Sequence, residues 1–176
     1  MEHKPLRAWC LRRVLLAGED GAMIRAMSEA LDTLGARIIR LPMPVGSEAL
    51  YRTLHEGHTA AVIVPELGSL QADSPQSALD TLLLEAREAG VPLVMLLAEK
   101  NASVSPLLRH AQGCAQGLWG DPISVQCIRH SALMPDSVCL RALELGARFL
   151  MGDTGYTGNF QLYPDTQKDG PSGPSP

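Results

Sequence analysis

Short runs of consecutive apolar residues alternate along the chain with longer segments in which apolar residues recur every three or four positions. The consecutive runs, residues 14–17, 60–64 and 93–97, are typical of strands buried on both faces, and the more polar segments 37–41 and 123–128 are also predicted to be strands. The periodic segments predict helices over 22–34, 47–56, 77–89, 105–118 and 136–145. This alternation predicts an α/β fold: a three-layer, Rossmann-like parallel sheet with helices on both faces and right-handed crossovers.

Glycine, proline and capping residues mark the expected ends of these helices. Gly35 is a stop signal after the first helix, and Ser105 followed by Pro106 is typical of an N-cap and a first-turn proline. Asp136 is expected to cap the last helix and Gly146 to end it. The helices are therefore bounded by ordinary sequence signals.

The end of the ordered chain is expected to be a strand or hairpin beginning at 149–151. Glycines recur at every third position over 152–158, but no helical pattern follows them. Residues 159–162 alternate in polarity like a strand, so the glycine-rich stretch is interpreted as a hairpin loop.

A chain of 176 residues with 45% hydrophobic residues suits one folded domain. We expect a single Rossmann-like domain over 1–164. Residues 165–176 contain almost no apolar side chain and predict a disordered tail.

Charge and hydropathy exclude several partners. Lys and Arg total 15 against 19 Asp and Glu, a net charge of -4, so no nucleic-acid partner is expected. The longest apolar run, 91–98, is far shorter than the roughly 20 residues of a membrane span, and no secretory segment follows the first residues. The four cysteines lack the close pairing of a zinc site or disulfide framework and indicate reduced, buried thiols in a cytoplasmic protein.

A glycine turn follows the first predicted strand. Gly18 and Gly21 allow a tight passage from strand to helix, which leaves amides of the helix start, at Ala22 and Met23, where a pyrophosphate can bind. A short structural connection without ligand explains the same two glycines equally well.

Three segments carry a resemblance to the extended short-chain dehydrogenase/reductase superfamily. Residues 14–21 resemble its opening strand and glycine turn, 82–94 its helix and strand before the catalytic serine, and 125–129 a later strand that ends in arginine. The chain looks like a shortened member, closest to the sugar-nucleotide epimerases and the dTDP-4-dehydrorhamnose reductases.

This resemblance implies an NAD or NADP site and a homodimer formed through helices that flank the sheet. The implied cofactor-binding residues lie in the glycine turn and at the ends of the second and third strands: Gly18, Gly21, Ala22, Met23, Arg40 and Pro65. Arg40 favours the phosphorylated cofactor, although an arginine at a strand end is also an ordinary solvated residue.

The chain departs from the family pattern in the glycine turn. Ile24 stands at the third glycine position, where a branched side chain would crowd the helix against the sheet or the cofactor. Glu19 and Asp20 would repel a pyrophosphate unless their side chains point away. Weak cofactor binding is therefore expected.

The catalytic pair of the family, a tyrosine with a lysine four residues later, is absent from the sequence. Tyr51, Tyr156 and Tyr163 are followed at that spacing by a histidine, a phenylalanine and a glutamine. The predicted helix 105–118 contains neither tyrosine nor lysine, and 98–100 offers no serine. Reductase or epimerase activity would need another proton donor.

Other groups of potentially metal-binding or reactive residues give weaker evidence for a function. His55 and His58 are spaced like metal ligands but have no third ligand in the sequence. Cys127 and His130 are three apart on a strand and are expected on opposite faces. A receiver domain shares the α/β alternation, but it needs an aspartate where residues 64–66 are Val-Pro-Glu.

The leading hypothesis is a degenerate NAD(P)- or nucleotide-sugar-binding Rossmann protein without reductase or epimerase activity. The alternative is an interaction or regulatory protein that self-associates or pairs with a full-length relative. A third possibility is an enzyme that uses residues near the carboxyl ends of strands, such as Glu66, Lys100 or His130.

Overall fold

The computed structural model describes residues 4–18, 20–41, 47–66, 75–98, 125–130, 134–152 and 158–163. The strands are β1 (Arg13–Ala17), β2 (Arg37–Leu41), β3 (Thr59–Val64), β4 (Leu93–Ala98), β5 (Val125–His130) and β6 (Gly158–Leu162). The helices are a 3₁₀ helix (Lys4–Trp9), α1 (Ala22–Thr33), α2 (Ser47–Glu56), α3 (Pro75–Ala89) and α4 (Pro135–Leu150). The helix predicted over 105–118 and the predicted tail 165–176 lie outside the described residues.

The described strands form a six-stranded sheet in the order β2-β1-β3-β4-β5-β6, and every neighbouring pair is parallel. Alternate residues of each strand enter different cores because successive side chains point to opposite faces. Leu16 packs with α1 and α4 on the first face, while Leu15 packs with α2 and α3 on the second face. The three-layer, Rossmann-like fold predicted from the sequence is therefore confirmed.

The connection from β5 to β6 differs in hand from the other crossovers within the described part of the chain. The step from β1 to β2 runs toward one sheet edge with α1 on the first face. The steps from β2 to β3 and from β3 to β4 run toward the other edge on the second face, which gives the same hand.

The step from β5 to β6 also runs toward that other edge, but α4 lies on the first face. If the ordinary crossovers are right-handed, this one is left-handed. The expectation of right-handed crossovers throughout was therefore wrong. On the first face α4 buries Val138, Cys139, Ala142, Leu143 and Ala147 against the sheet and α1.

The end of α4 was also predicted wrongly. Gly146 does not stop the helix, which continues to Leu150, so residues 149 and 150 are helical and do not begin a strand. A Cβ atom at Gly146 would lie 3.0 Å from the Trp9 ring, so this glycine permits close packing inside a helix. The strand that follows, β6, pairs in parallel with β5 and forms no hairpin with it.

Trp9 fixes the amino-terminal segment to the first face. Its side chain is fully buried, and the indole Nε1 donates a hydrogen bond of 2.9 Å to the carbonyl of Leu143 in α4. This contact spans most of the chain and carries no local sequence signal, so the sequence patterns did not reveal it.

Candidate functional site

The order of the strands creates a crevice at the carboxyl edge of the sheet. The chain leaves β1 toward β2 on one side and later returns to β3 on the other side of β1. The connections after β1 and β3 therefore diverge, and ligands of open α/β sheets bind at such a switch point. Gly18 directly follows β1, Arg40 is near the end of β2, and Pro65 directly follows β3.

Gly18 makes the turn out of β1. Its φ of 135° lies in the region that favours glycine, and its amide donates a hydrogen bond of 3.1 Å to the carbonyl of Leu41 at the end of β2. The residue is buried. The turn is thereby held against the ends of both strands, as the sequence predicts for a strand-to-helix connection.

The amino terminus of α1 faces this crevice. Gly21 is the N-cap in extended conformation, and no side chain caps the helix. The amides of Ala22, Met23 and the next residue have no carbonyl partner within the helix, and they carry partial positive charge. Ala22 is exposed and Met23 is buried, so the backbone of this first turn, together with Gly21, forms the part suited to an anion.

Glu66 occupies the space that Gly21 leaves open. A Cβ atom built on Gly21 would lie 2.9 Å from Oε1 of Glu66, which is partly buried just after β3. In dinucleotide-binding turns this glycine lets the backbone approach the pyrophosphate. Here a carboxylate lies against the same backbone, although it belongs to the end of a flexible side chain.

Asp20, just before α1, forms ion pairs with two arginines. Its carboxylate lies 2.9 Å from Arg25 and 3.4 Å from Arg40. The side chain of Arg25 is 60% exposed, that of Arg40 is 39% exposed and that of Asp20 is 65% exposed. Each ion pair therefore contributes little to the stability of the fold. The contact brings the β1 turn and the β2 end together, but it also compensates part of the charge of Arg40.

Ile24 does not enter the crevice. Its side chain is 1% exposed and packs in the core of the first face with Met27 and Leu31. The sequence predicted that Ile24 would crowd either the contact between the helix and the sheet or the cofactor. In the structure Ile24 lies between the helix and the sheet. The crowding expected there is accommodated within the hydrophobic core.

The remaining candidate residues are dispersed. Cys127 lies in the core of the second face while Ile128 lies in that of the first, so His130, two residues further along β5, is on the opposite face from Cys127, as predicted. Glu66 and His130 both lie at the carboxyl edge, but β4 separates their strands by about 10 Å. Lys100 lies outside the described residues.

The cysteines and histidines form no chemical centre within the residues described. No group of three metal-ligating side chains occurs among them. Burial, and secondarily Asp136, raises the pKa of the Cys139 thiol from 9.0 to about 12, so this cysteine is protonated at neutral pH. Cys10 is exposed, which corrects the expectation that the cysteines are buried.

No known family model matches this sequence, and no curated protein does. Solved structures of short-chain dehydrogenase/reductases are similar in fold. A double mutant of the Serratia marcescens enzyme has a TM-score of 0.62 at 12% identity, covering 89% of this chain and 97% of that one. The enzyme from Serratia marcescens BCRC 10948 has a TM-score of 0.59 at 11% identity, with coverage of 89% and 98%.

A Brucella melitensis short-chain dehydrogenase/reductase, a glucose/ribitol dehydrogenase, has a TM-score of 0.57 at 12% identity, covering 89% of this chain and 96% of that one. At this identity the likeness establishes the fold alone. The chain has the Rossmann-like fold of the short-chain dehydrogenase/reductases. Within the described segments, no helix combines the length and apolar character needed to cross a membrane.

Proposed function

We propose that the protein is a non-catalytic relative of the reductases that binds NADP weakly across the carboxyl-edge crevice. The observation that carries the proposal is the glycine turn at the switch point, with Arg40 only 3.4 Å from Asp20 of that turn. A basic side chain beside this turn suits the 2′-phosphate that distinguishes NADP from NAD.

The residues of the crevice have separate tasks in this proposal. The first-turn amides of α1, beginning at Ala22 and Met23, receive the pyrophosphate, and Gly18 and Gly21 let the backbone approach it. Arg40 pairs with the 2′-phosphate in exchange for Asp20. Pro65, buried after β3, borders the crevice on the other side.

Glu66 explains why the binding is weak. Its carboxylate lies against Gly21, so the pyrophosphate can approach only when this side chain rotates away. Even after this rotation, the negative charge of Glu66 stays near the bound phosphates and repels them. The crevice thus fits the phosphate end of a nucleotide, at a cost in affinity.

The absence of catalysis in this proposal follows from the sequence. A bound nicotinamide cofactor supplies a transferable hydride, but no tyrosine in this chain has a lysine four residues later to complete the proton relay of the family. The sugar-nucleotide branch of the family makes a nucleotide-sugar the other ligand class to test.

Calorimetric titration tests the proposal with NADP, NAD and a uridine diphosphate sugar. We expect saturable NADP binding that is about fivefold tighter than NAD binding, because one charged pair distinguishes them. Arg40→Gln is expected to remove that preference. Arg7→Gln, which makes the same charge change at an exposed arginine outside the crevice, serves as the matched control, and Arg37→Gln shows whether the nucleotide binds at the opposite edge of the sheet instead.

Two results would reject the assignment. Binding of none of the three ligands at millimolar concentration excludes a nucleotide function for the crevice. NADP binding that Arg37→Gln weakens and Arg40→Gln leaves unchanged assigns the nucleotide to another surface.

A groove between α1 and α4 supports a second candidate function, self-association. The groove has a volume of about 280 Å³ and is lined in part by Ala26, Ala30 and Leu140. Leu140 is 44% exposed although it is a large apolar residue. Such a site on an outer helix pair suits the same surface of a second copy.

Sedimentation analysis tests the self-association. We expect a homodimer that Leu140→Glu converts to a monomer. Leu84→Glu, at a leucine of similar exposure (41%) on α3, is the matched control and is expected to leave the dimer intact. A wild-type monomer at high protein concentration would refute the second candidate.

A further inference from the structure

A second concave site lies at the amino edge of the sheet, opposite the crevice. It is a cavity of about 760 Å³, bordered by the starts of β1, β2 and β3 and by the chain after α2 and α3. Small-molecule sites typically have volumes of about 300 to 1,000 Å³, so a nucleotide-sized ligand fits.

Three arginines line this cavity. Arg13 and Arg37 are the first residues of β1 and β2 and are paired in the parallel register, and Arg12 directly precedes β1. The amide of Arg37 donates a hydrogen bond of 2.7 Å to the carbonyl of Arg12, which fixes the two backbones together. Three cationic side chains are therefore held at one end of two neighbouring strands.

The guanidinium of Arg13 is held in place by neutral partners. Its Nε donates to Oγ1 of Thr59 at 3.4 Å, and its Nη2 donates to the carbonyl of Thr53 at 3.1 Å. Gly57 makes room for it, because a Cβ atom there would overlap the guanidinium carbon of Arg13. Within the described part of the chain, the partly buried arginine is oriented without an ion-pair partner.

The positive charge of the cavity is uncompensated within the described residues. Among these residues, neither Arg12, Arg13 nor Arg37 forms an ion pair, and no carboxylate is among the residues that line the cavity. His55 and His58 add two imidazoles to the lining. This local excess of cations occurs on a chain whose net charge is -4.

Backbone strain is concentrated at the same place. Leu11 and His58 have φ values of 65° and 54°, a conformation that non-glycine residues rarely adopt, and both line the cavity. Such a conformation is energetically unfavourable for a non-glycine residue, and strain of this kind clusters at ligand sites. These turns contain Arg12 and His58, which line the cavity.

We propose that this amino-edge cavity binds a phosphate-bearing small molecule. Guanidinium groups bind phosphate through charge-assisted, often bidentate hydrogen bonds, and here Arg13 and Arg37 occupy paired positions at the starts of neighbouring strands, while Arg12 lines the cavity and donates its Nε–H to the carbonyl of Ala8. Arg37 and Arg12 provide exposed contacts, and Arg13 provides a partly buried charge. The site is independent of the nucleotide crevice, because it lies at the opposite ends of the strands.

Inorganic pyrophosphate is the probe that tests this site. It is titrated into the full chain by calorimetry, with sodium chloride adjusted to keep the ionic strength constant. We expect saturable binding that Arg37→Gln weakens about tenfold. Arg13→Gln is expected to weaken it further, but this variant also loses two internal hydrogen bonds, so the exposed Arg37 is the decisive position.

Two control variants make the test specific. Arg7→Gln removes an exposed arginine outside the cavity, and Arg52→Gln removes one on α2 that lines neither site. Both are expected to bind pyrophosphate like the wild type. Absence of binding in the wild type, or an equal loss in Arg37→Gln and Arg7→Gln, would overturn the proposal.

Discussion

The two ends of the same sheet differ in how their charges are balanced. At the carboxyl edge, Asp20 lies between Arg25 and Arg40, and the carboxylate of Glu66 lies against Gly21. At the amino edge, three arginines line a cavity without a described carboxylate in its lining. The arginine charges are therefore more fully balanced by carboxylates at the carboxyl edge, which is where this fold usually binds ligands.

This difference separates what the fold determines from what the side chains determine. Strand order places a crevice after β1 and β3 in any sheet of this topology. Whether phosphate binds there depends on the charges that face it, and function resides in such sites more than in the fold. At the amino edge the arginines are present, although the strand order does not predict a ligand site there.

Removal of Trp9 is expected to have the largest effect on stability. Trp9→Ala deletes a fully buried ring and the indole hydrogen bond to Leu143, and such truncations cost about 3–5 kcal/mol. Urea denaturation measures the loss. Tyr163→Ala, at a side chain that is 61% exposed, is the control and should cost less than about 0.5 kcal/mol. Equal costs would contradict the anchoring role of Trp9.

Gly57→Ala and Gly21→Ala compare the two edges directly. The new Cβ at position 57 displaces the Arg13 guanidinium from its two hydrogen bonds, with a cost of about 1–3 kcal/mol and weaker pyrophosphate binding. At position 21 it meets only the end of Glu66, so the cost in stability is smaller. Urea denaturation and calorimetry test both. An unchanged pyrophosphate affinity in Gly57→Ala would show that the position of Arg13 is unimportant.

Glu66→Gln is expected to strengthen NADP binding about fivefold, because it removes a negative charge beside the phosphate path while it keeps the shape of the side chain. Calorimetry measures the affinity. Glu48→Gln, at an exposed carboxylate on α2, is the control. A weaker affinity in Glu66→Gln would mean that Glu66 supports the ligand.

The smallest effect concerns Cys139, which lies between the two edges in α4. Its folded pKa of about 12 exceeds the ordinary value of 9.0, so folding favours the protonated thiol. Its contribution to stability is complete below pH 9 and is lost as the pH rises toward 12. Cys139→Ala is expected to reduce this alkaline loss, measured as the free energy of unfolding against pH. An identical slope in the variant would assign the loss to other groups.

The periodicity of the sequence predicted the sheet and the helices α1 to α4 because their apolar residues are local signals, whereas it did not predict the 3₁₀ helix Lys4–Trp9. It failed at Gly146, where a glycine serves packing against Trp9 and does not end the helix. The glycine turn was predicted, but the approach of Glu66 to Gly21 joins residues 45 positions apart and has no local pattern. Likewise, Arg13 and Arg37 become neighbours only through the register of β1 and β2.

Backbone amide NMR during a pyrophosphate titration tests the contrast between the two edges most directly. We expect the amides of Arg37, Gly57 and His58 to shift and saturate first, while those of Gly18 and Gly21 respond only at higher concentration. Saturation of the glycine-turn amides at the lower concentration, with the amino edge unchanged, would contradict the account.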